Sequence, residues 1–307
     1  MRKVVNKTHI EGLLYQHTLE LKESGPNSKK PGTKFISGNI EIATDDAMLN
    51  IVPVHFTYVT ATTAAGKENA TFGTLMNIIN GVIGNVMKDG ADKAGMVRCD
   101  SAIGLNEFYS DRSCKEELVS VKRNEGGFVH VANSLDADEK NRNTFECDII
   151  ITNVRHIDAD DERGIAEKAI VKGAVFDFRN NLLPVELSVV NPNAMSYFEG
   201  LEASNNNPVF TKVRGRQISE TIVTVKEEEG AFGTEIREVR STRKDFIITW
   251  ALKEPYLWDD ESTITAAEMK ELMAKREITL AEIKARQDEY KASKNAINPP
   301  AAGGFNF

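Results

Sequence analysis

The sequence predicts a mainly β chain of the α+β class: two β-rich domains, then a short C-terminal helical segment and a flexible tail. Three observations predict it. Polar and apolar residues alternate along most of the chain up to about residue 258, the period of half-buried strands. Only one long stretch before that point changes to a spacing of three and four. Beyond it the composition shifts to helix formers, then to proline, glycine and alanine. A length of 307 residues favours two domains over one.

The elements follow in order. His9 to Glu20 opens as a strand, and the turn residues and lysines of Ser24 to Gly32 mark a loop. Phe35 to Thr44 alternates with Ile36, Ile40 and Ile42 on one face. Asn50 to Val59 does so with Val52, Val54, Phe56 and Tyr58, which makes Phe56 and Tyr58 core residues. Phe72 to Met87 spaces Leu75, Ile78, Ile79, Val82, Ile83 and Val86 as one face of a helix. Strands are then expected at Val97 to Tyr109, Glu117 to Arg123, Phe128 to Ala132 and Phe145 to Ile157, the middle two forming a hairpin around Asn124 to Gly127. In the second half, strands are expected at Ala169 to Phe178, Leu183 to Val190, Val209 to Ser219, Thr221 to Glu227, Glu235 to Thr242 and Phe246 to Leu252, with a short helix at 194–203. Thr265 to Glu268 and Thr279 to Glu282 each fit a capping box, so two short helices are expected within 259–294, before a tail at 295–307.

Three strands, a helix and more strands is the order of an OB barrel. The expected domains are an OB-like β-barrel with one helix at 1–157, an acidic linker at 158–164 and a second OB-like β-rich domain at 165–258. HIEGLLY at 9–15 and IVKGAVF at 170–176 echo one another too faintly to make a repeat.

Catalytic chemistry finds little support. The sequence has no phosphate loop with a following lysine, no GxSxG and no HExxH. Asp136 to Asp138 and Asp158 to Asp161 start like calcium loops but lack the glycine and glutamate that complete one. Cys99, Cys114 and Cys147 match no zinc spacing, and their odd number does not fit a disulfide framework. The chain is therefore read as a binding protein and not an enzyme, with no cofactor and no metal. It has no run of about 18 apolar residues to span a membrane. Its basic first residues lead into no apolar signal region, so cytoplasmic action is expected.

A net charge of −8 argues against coating nucleic acid by bulk charge. Cations beside aromatic rings would have to serve instead, because stacking contributes roughly 1–3 kcal/mol per base. The most informative stretch is Val209 to Ser219. On a strand, Phe210, Lys212, Arg214 and Arg216 share one face, a ring and three cations at intervals of about 7 Å. In 120–132, Phe128 and His130 point outward beside Lys122 and Arg123, while Val129 and Val131 point inward. Phe35 lies on the polar face of its strand next to Lys34, and Arg237 and Arg243 share a face of another. Trp250 and Trp258 are read as packing residues, and Phe176 and Phe178 fit either role.

These basic-aromatic strands, the opening NKTHIEGLLYQHTLEL and the element order resemble OB-fold single-stranded-DNA-binding proteins, particularly those of bacteriophage replication systems. The resemblance covers both β-rich halves as order and texture. It implies sequence-nonspecific binding of single-stranded DNA, with RNA left open, in replication or recombination. It also implies docking of replication or recombination proteins through the C-terminal segment, where Phe305 and Phe307 stand, although the family's acidic tail tip is absent here. A viral tail or capsid protein is the alternative, since β-rich domains and a helical C-terminus fit that class too.

Overall fold

The computed structural model describes residues 3–26, 28–110, 116–160, 166–230, 233–257 and 263–297, with backbone alone at 220–230, 233–235, 237–243, 266 and 294–297. Two groups of strands each close on themselves. The first holds β1 (Asn6–His17), β3 (Lys34–Ala43), β4 (Ile51–Thr60), β5 (Met96–Ser110) and β6 (Glu117–Val131), with a short edge strand β2 (Glu20–Glu23) on β3. β1 pairs antiparallel with both β3 and β5, β3 pairs with β4, β4 runs parallel to β6, and β6 neighbours β5. Helix α1 (Ala70–Ile79) lies in the chain between the third and fourth strands of this ring. That is OB-barrel topology.

The second ring repeats it. β7 (Asn143–Ile157) pairs with β8 (Lys168–Phe176), β8 with β9 (Leu182–Val189), and β9 runs parallel to β11 (Gly233–Ala251). β11 pairs with β10 (Val209–Gly230), and β10 returns to β7. Helix α3 (Pro192–Glu199), which follows a one-turn α2 (Val86–Asp89) in chain order, again stands between the third and fourth strands. The two first strands, β1 and β7, pair antiparallel from Asn6 opposite Cys147 to Ile10 opposite Asn143, which joins the rings into one eleven-stranded sheet.

The connection between the rings is therefore 132–142. The acidic stretch at 158–164, read from composition as a linker, lies between β7 and β8, two strands of one ladder. β7 alternates like any strand, and nothing in its own sequence says which barrel it opens.

Packing explains the elements. Ile36, Ile40 and Ile42 of β3 and Val52, Val54 and Phe56 of β4 are buried with Ile10 and Leu14 of β1, and α1 adds Leu75 and Ile78. Burial of this kind supplies roughly 1.5–3 kcal/mol per large apolar side chain. The alternation of β4 breaks near its end. A bulge between Ile36 and Gly38 shifts the register, so Gly38 faces Phe56 but Ile36 faces Val59. Val59 packs on the core, and Tyr58, expected inside, is exposed.

Other expectations change as well. The helix expected over 72–87 stops at Ile79, because Gly81 takes a φ of 71°. No hairpin turns at Asn124 to Gly127, and β6 runs straight through it. A Cβ on Gly127 would lie 2.2 Å from the carbonyl oxygen of Asp100, so that glycine permits close strand approach. The paired segments at 209–227 and 235–252 are two continuous strands, β10 and β11, laddered as far as Gly230 opposite Gly233.

Residues 105–122 and those from 264 onward form a second compact unit. Its helix α4 (Ala266–Ile297) is continuous, in place of the two helices expected. The first capping box forms, with Glu268 N–H donating to Thr265 Oγ1 at 3.2 Å. The second does not: Thr279 lies within the helix and its hydroxyl donates to the Lys275 carbonyl at 3.2 Å. Leu280 is buried. Gln287 Nε2 donates to the Tyr109 carbonyl at 2.5 Å, Tyr109 N–H donates to Gln287 Oε1 at 2.9 Å, and Lys284 pairs with Glu116 at 2.6 Å. These polar contacts join the helix to Tyr109 and Glu116 of its own unit.

Candidate nucleic-acid interface

A groove of about 1220 Å3 crosses both barrels. The paired first strands contribute Lys7–His9 of β1 and Thr144–Glu146 of β7. The first barrel adds Phe128 from β6, and the second adds Arg214 and Arg216 from β10 and Phe178 from the β8–β9 turn. A cavity of about 530 Å3 is also lined by Arg216 and by Lys140 of the inter-barrel connection, both of which line the groove too.

Two strongly exposed rings stand in its wall. Phe128 is 73% exposed and Phe178 is 76% exposed. Phe178 is held out by a tight turn. Asp177 Oδ1 accepts the N–H groups of Arg179 and Asn181, each at 2.8 Å, and Asn180 takes a φ of 59°. The Arg179 guanidinium lies 4.9 Å from the centre of the Phe178 ring. Phe176, two residues earlier, is buried.

The cations are arranged unevenly. Arg214 donates from Nε to Glu146 Oε2 at 3.0 Å, and its guanidinium lies 4.6 Å from the Trp250 ring centre. Trp250 is exposed and not a packing residue. Arg216 is exposed. Among the described residues, no carboxylate pairs with Lys7, Lys140 or Arg216. The acids of the first barrel are engaged: Asp100 Oδ1 lies 2.9 Å from His9 Nδ1, and Glu125 Oε1 accepts from Arg123 at 2.8 Å.

The structure brings some of the expected residues together and disperses others. Phe128, Arg214 and Arg216 line the groove. Phe210 shares their strand parity but is buried; residues 252–256 run beside the start of β10, with Leu252 N–H donating to the Lys212 carbonyl and Tyr256 N–H to the Phe210 carbonyl. It cannot stack on a base. Lys212 is half-buried beside Glu146 and Asp148, at 3.5 and 3.9 Å. His130 is exposed but outside the groove, Arg123 is taken by Glu125, and Lys122 belongs to the second compact unit. Val131, expected inward, is exposed. Lys34 and Phe35 lie on β3, where Phe35 contacts Tyr58 at 4.4 Å between ring centres. The side chains of Arg237 and Arg243, and all of Trp258, Phe305, Phe307 and Cys114, lie outside the described residues. Lys7 and Lys140 are groove residues that pattern reading missed, and Phe178 is one that it left open. Only Phe178 had a signal, the turn sequence Asp-Phe-Arg-Asn-Asn at its position.

Behind the groove, Glu11 is buried. Burial pushes its carboxyl up, but the Asp136 N–H, the Arg98 guanidinium and His9 together outweigh that and hold it below the usual carboxylate range. Burial pushes the Cys99 thiol up to about 12, and the Cys147 thiol up as well, so neither is a thiolate near neutrality. Among the described residues, no cluster of three or more His, Cys, Asp or Glu is placed to hold a metal, and no helix is long and apolar enough to cross a membrane.

Comparison with known proteins adds three findings. No curated protein matches the chain. Among solved structures, a deletion mutant of the single-stranded DNA binding protein from Thermus aquaticus is 11% identical, covering 84% of this chain and 97% of that one with a TM-score of 0.45. The wild-type protein is 11% identical, covering 83% and 94% with a TM-score of 0.43. At that identity and score the likeness assigns no ligand and no residue. The model of the YorF family matches residues 4–286, and the chain therefore belongs to the YorF family.

Proposed function

We propose that the groove binds single-stranded nucleic acid, DNA in the first place, with little sequence preference. One observation carries this reading. Two strongly exposed phenylalanines, one from each barrel, line a single open groove together with Arg214, Arg216, Lys7 and Lys140. Rings beside cations suit an extended strand, whose bases stack while its phosphates meet charge. The overall charge of −8 does not oppose this, since Glu125 and Glu146 of the groove wall are paired with Arg123 and Arg214 and phosphates feel local charge within a Debye length of about 10 Å. Coating of replication or recombination intermediates, phage-type, in the cytoplasm of a host cell, and recruitment of protein partners through the C-terminal segment, belong to the same proposal. They draw on the sequence resemblance alone.

The test is a fluorescence titration of the protein with oligodeoxythymidylate and with duplex of equal length. Single strand should bind more tightly. Phe128→Ala and Phe178→Ala should each weaken single-strand binding by about 1–3 kcal/mol, roughly 5- to 150-fold, with little change in melting temperature. Undiminished binding by both variants would remove the groove from the site.

A further inference from the structure

We infer that Glu11, which no ligand in the groove would touch, is a positioning residue that fixes Lys140 at the junction of the two cavities. The inference rests on the proposed binding of single strands and extends it to a residue outside the groove. Residues 132–142 join the barrels without forming a strand, and two buried groups pin them. Glu11, with a side chain 1% exposed, accepts the Asp136 N–H through Oε1 at 2.5 Å. Its Oε2 takes both Nε and a terminal nitrogen of Arg98, at 2.7 and 2.6 Å. Arg142, 8% exposed, donates from Nε to the Asp136 carbonyl at 2.6 Å and pairs with Asp46 at 2.6 Å. The peptide groups on both sides of Asp136 are thereby held.

Short side-chain bonds carry the position onward. Asp136 Oδ1 accepts the Asp138 N–H at 2.9 Å, and Asp138 Oδ1 accepts the Lys140 N–H at 3.0 Å, which caps the single 3-10 turn Glu139–Asn141. Lys140 then lines both cavities, as does Arg216. Burying a carboxylate and a guanidinium is costly unless both are fully bonded. A surface connection of turn residues does not require such an anchor. What the anchor provides is a fixed backbone position from which the Lys140 side chain reaches the walls of both cavities.

The test uses the full chain and a fluorescein-labelled oligodeoxythymidylate of about 16 nucleotides, titrated by anisotropy over a salt series. Lys140→Gln removes one phosphate contact and should lower the slope of log K against log salt by about 0.7. Glu11→Gln should lower it by the same amount, because a carboxamide cannot accept from both Asp136 and Arg98. The double variant should lower it no further. Arg142→Met, measured below its own melting temperature, should reproduce the Glu11→Gln slope. If Glu11→Gln and Arg142→Met reduce thermal stability but keep the parental slope, or if Glu11→Gln and Lys140→Gln add, the inference is overturned while the single-strand reading stands. If the unaltered protein shows no salt-dependent binding at all, the reading fails and takes the inference with it.

Discussion

The two barrels share one topology and carry opposite loads. In the first, the fourth and fifth strands present Asp100 and Glu125 to the groove. In the second, the equivalent strands, β10 and β11, present Arg214, Arg216 and Thr249, with Trp250 against Arg214. Each barrel offers one exposed phenylalanine to the groove. On the proposed reading, stacking is shared between the barrels, whereas phosphate neutralisation falls on the second barrel, on Lys7 of β1 and on Lys140 of the connection. The fold sets where strands lie. The side chains at matching places on those strands decide what each barrel contributes, and an acidic chain can hold a cationic half-groove.

The largest break in this comparison comes from the second barrel. Arg214→Ala combined with Arg216→Ala should lower the salt slope by about 1.4, twice the value of about 0.7 per phosphate, and weaken affinity more than tenfold near 0.1 M salt. Stability should change little, since both side chains are exposed. A double variant with the parental slope would place the phosphates elsewhere. The first barrel should respond with the opposite sign and more weakly. Glu125→Gln removes a negative charge from the groove and releases Arg123, now 2.8 Å away. Affinity should rise by about two- to fivefold, the scale of a partly exposed pair. A fall in affinity would mean that the Arg123–Glu125 pair positions the strand and does not merely offset its charge.

Much of the barrel order was legible because strand alternation and a single long helical period survive in the sequence. The boundary between the barrels was not. β7 reads the same whether it ends one barrel or opens the next, and only its pairing with β8 and β10 decides. The echo between HIEGLLY and IVKGAVF has a local cause. A Cβ on Gly12 would lie 1.9 Å from the Ala43 carbonyl oxygen, and one on Gly173 would lie 2.2 Å from that of Ile150. Both glycines serve the crossing of a first and a second strand, but Gly12 is on the first strand of its barrel and Gly173 on the second of the other. The candidate site was legible in part. Parity placed Phe210 with Arg214 and Arg216, yet parity says nothing of its burial, or of the segment more than forty residues away whose backbone bonds to the start of β10. Lys7 and Lys140 reach the groove only through β1–β7 pairing and the pinned connection, which no local pattern encodes.

The smallest expected effect compares two histidines at matching ends of the first strands, His17 on β1 and His156 on β7. Burial, and then the charge of Lys88, push the His17 pKa below its ordinary value, and its Nδ1 accepts the Leu19 N–H at 3.3 Å, which requires an unprotonated nitrogen. The hydrogen bond to Glu199 at 2.8 Å raises the His156 pKa, aided by Asp158 and Glu167. The signs follow from proton linkage. A depressed histidine makes its full contribution above the unfolded value of about 6.5 and loses it as pH falls towards the folded pKa. A raised one makes its full contribution below about 6.5 and loses it as pH climbs through the folded pKa. Melting temperatures of the unaltered protein between about pH 5 and 8 should therefore, on account of these two groups, pass through a maximum near the unfolded value of about 6.5, since the His17 contribution is lost below it and the His156 contribution above it. His156→Gln should remove the fall above about pH 6.5, so that its stability relative to the parent rises with pH there, and His17→Gln should remove the loss below about pH 6.5, so that its stability relative to the parent falls as pH rises towards that value. If both variants shift the profile in the same direction, the Glu199 contact does not hold His156 in solution, and the two barrel ends are electrostatically alike.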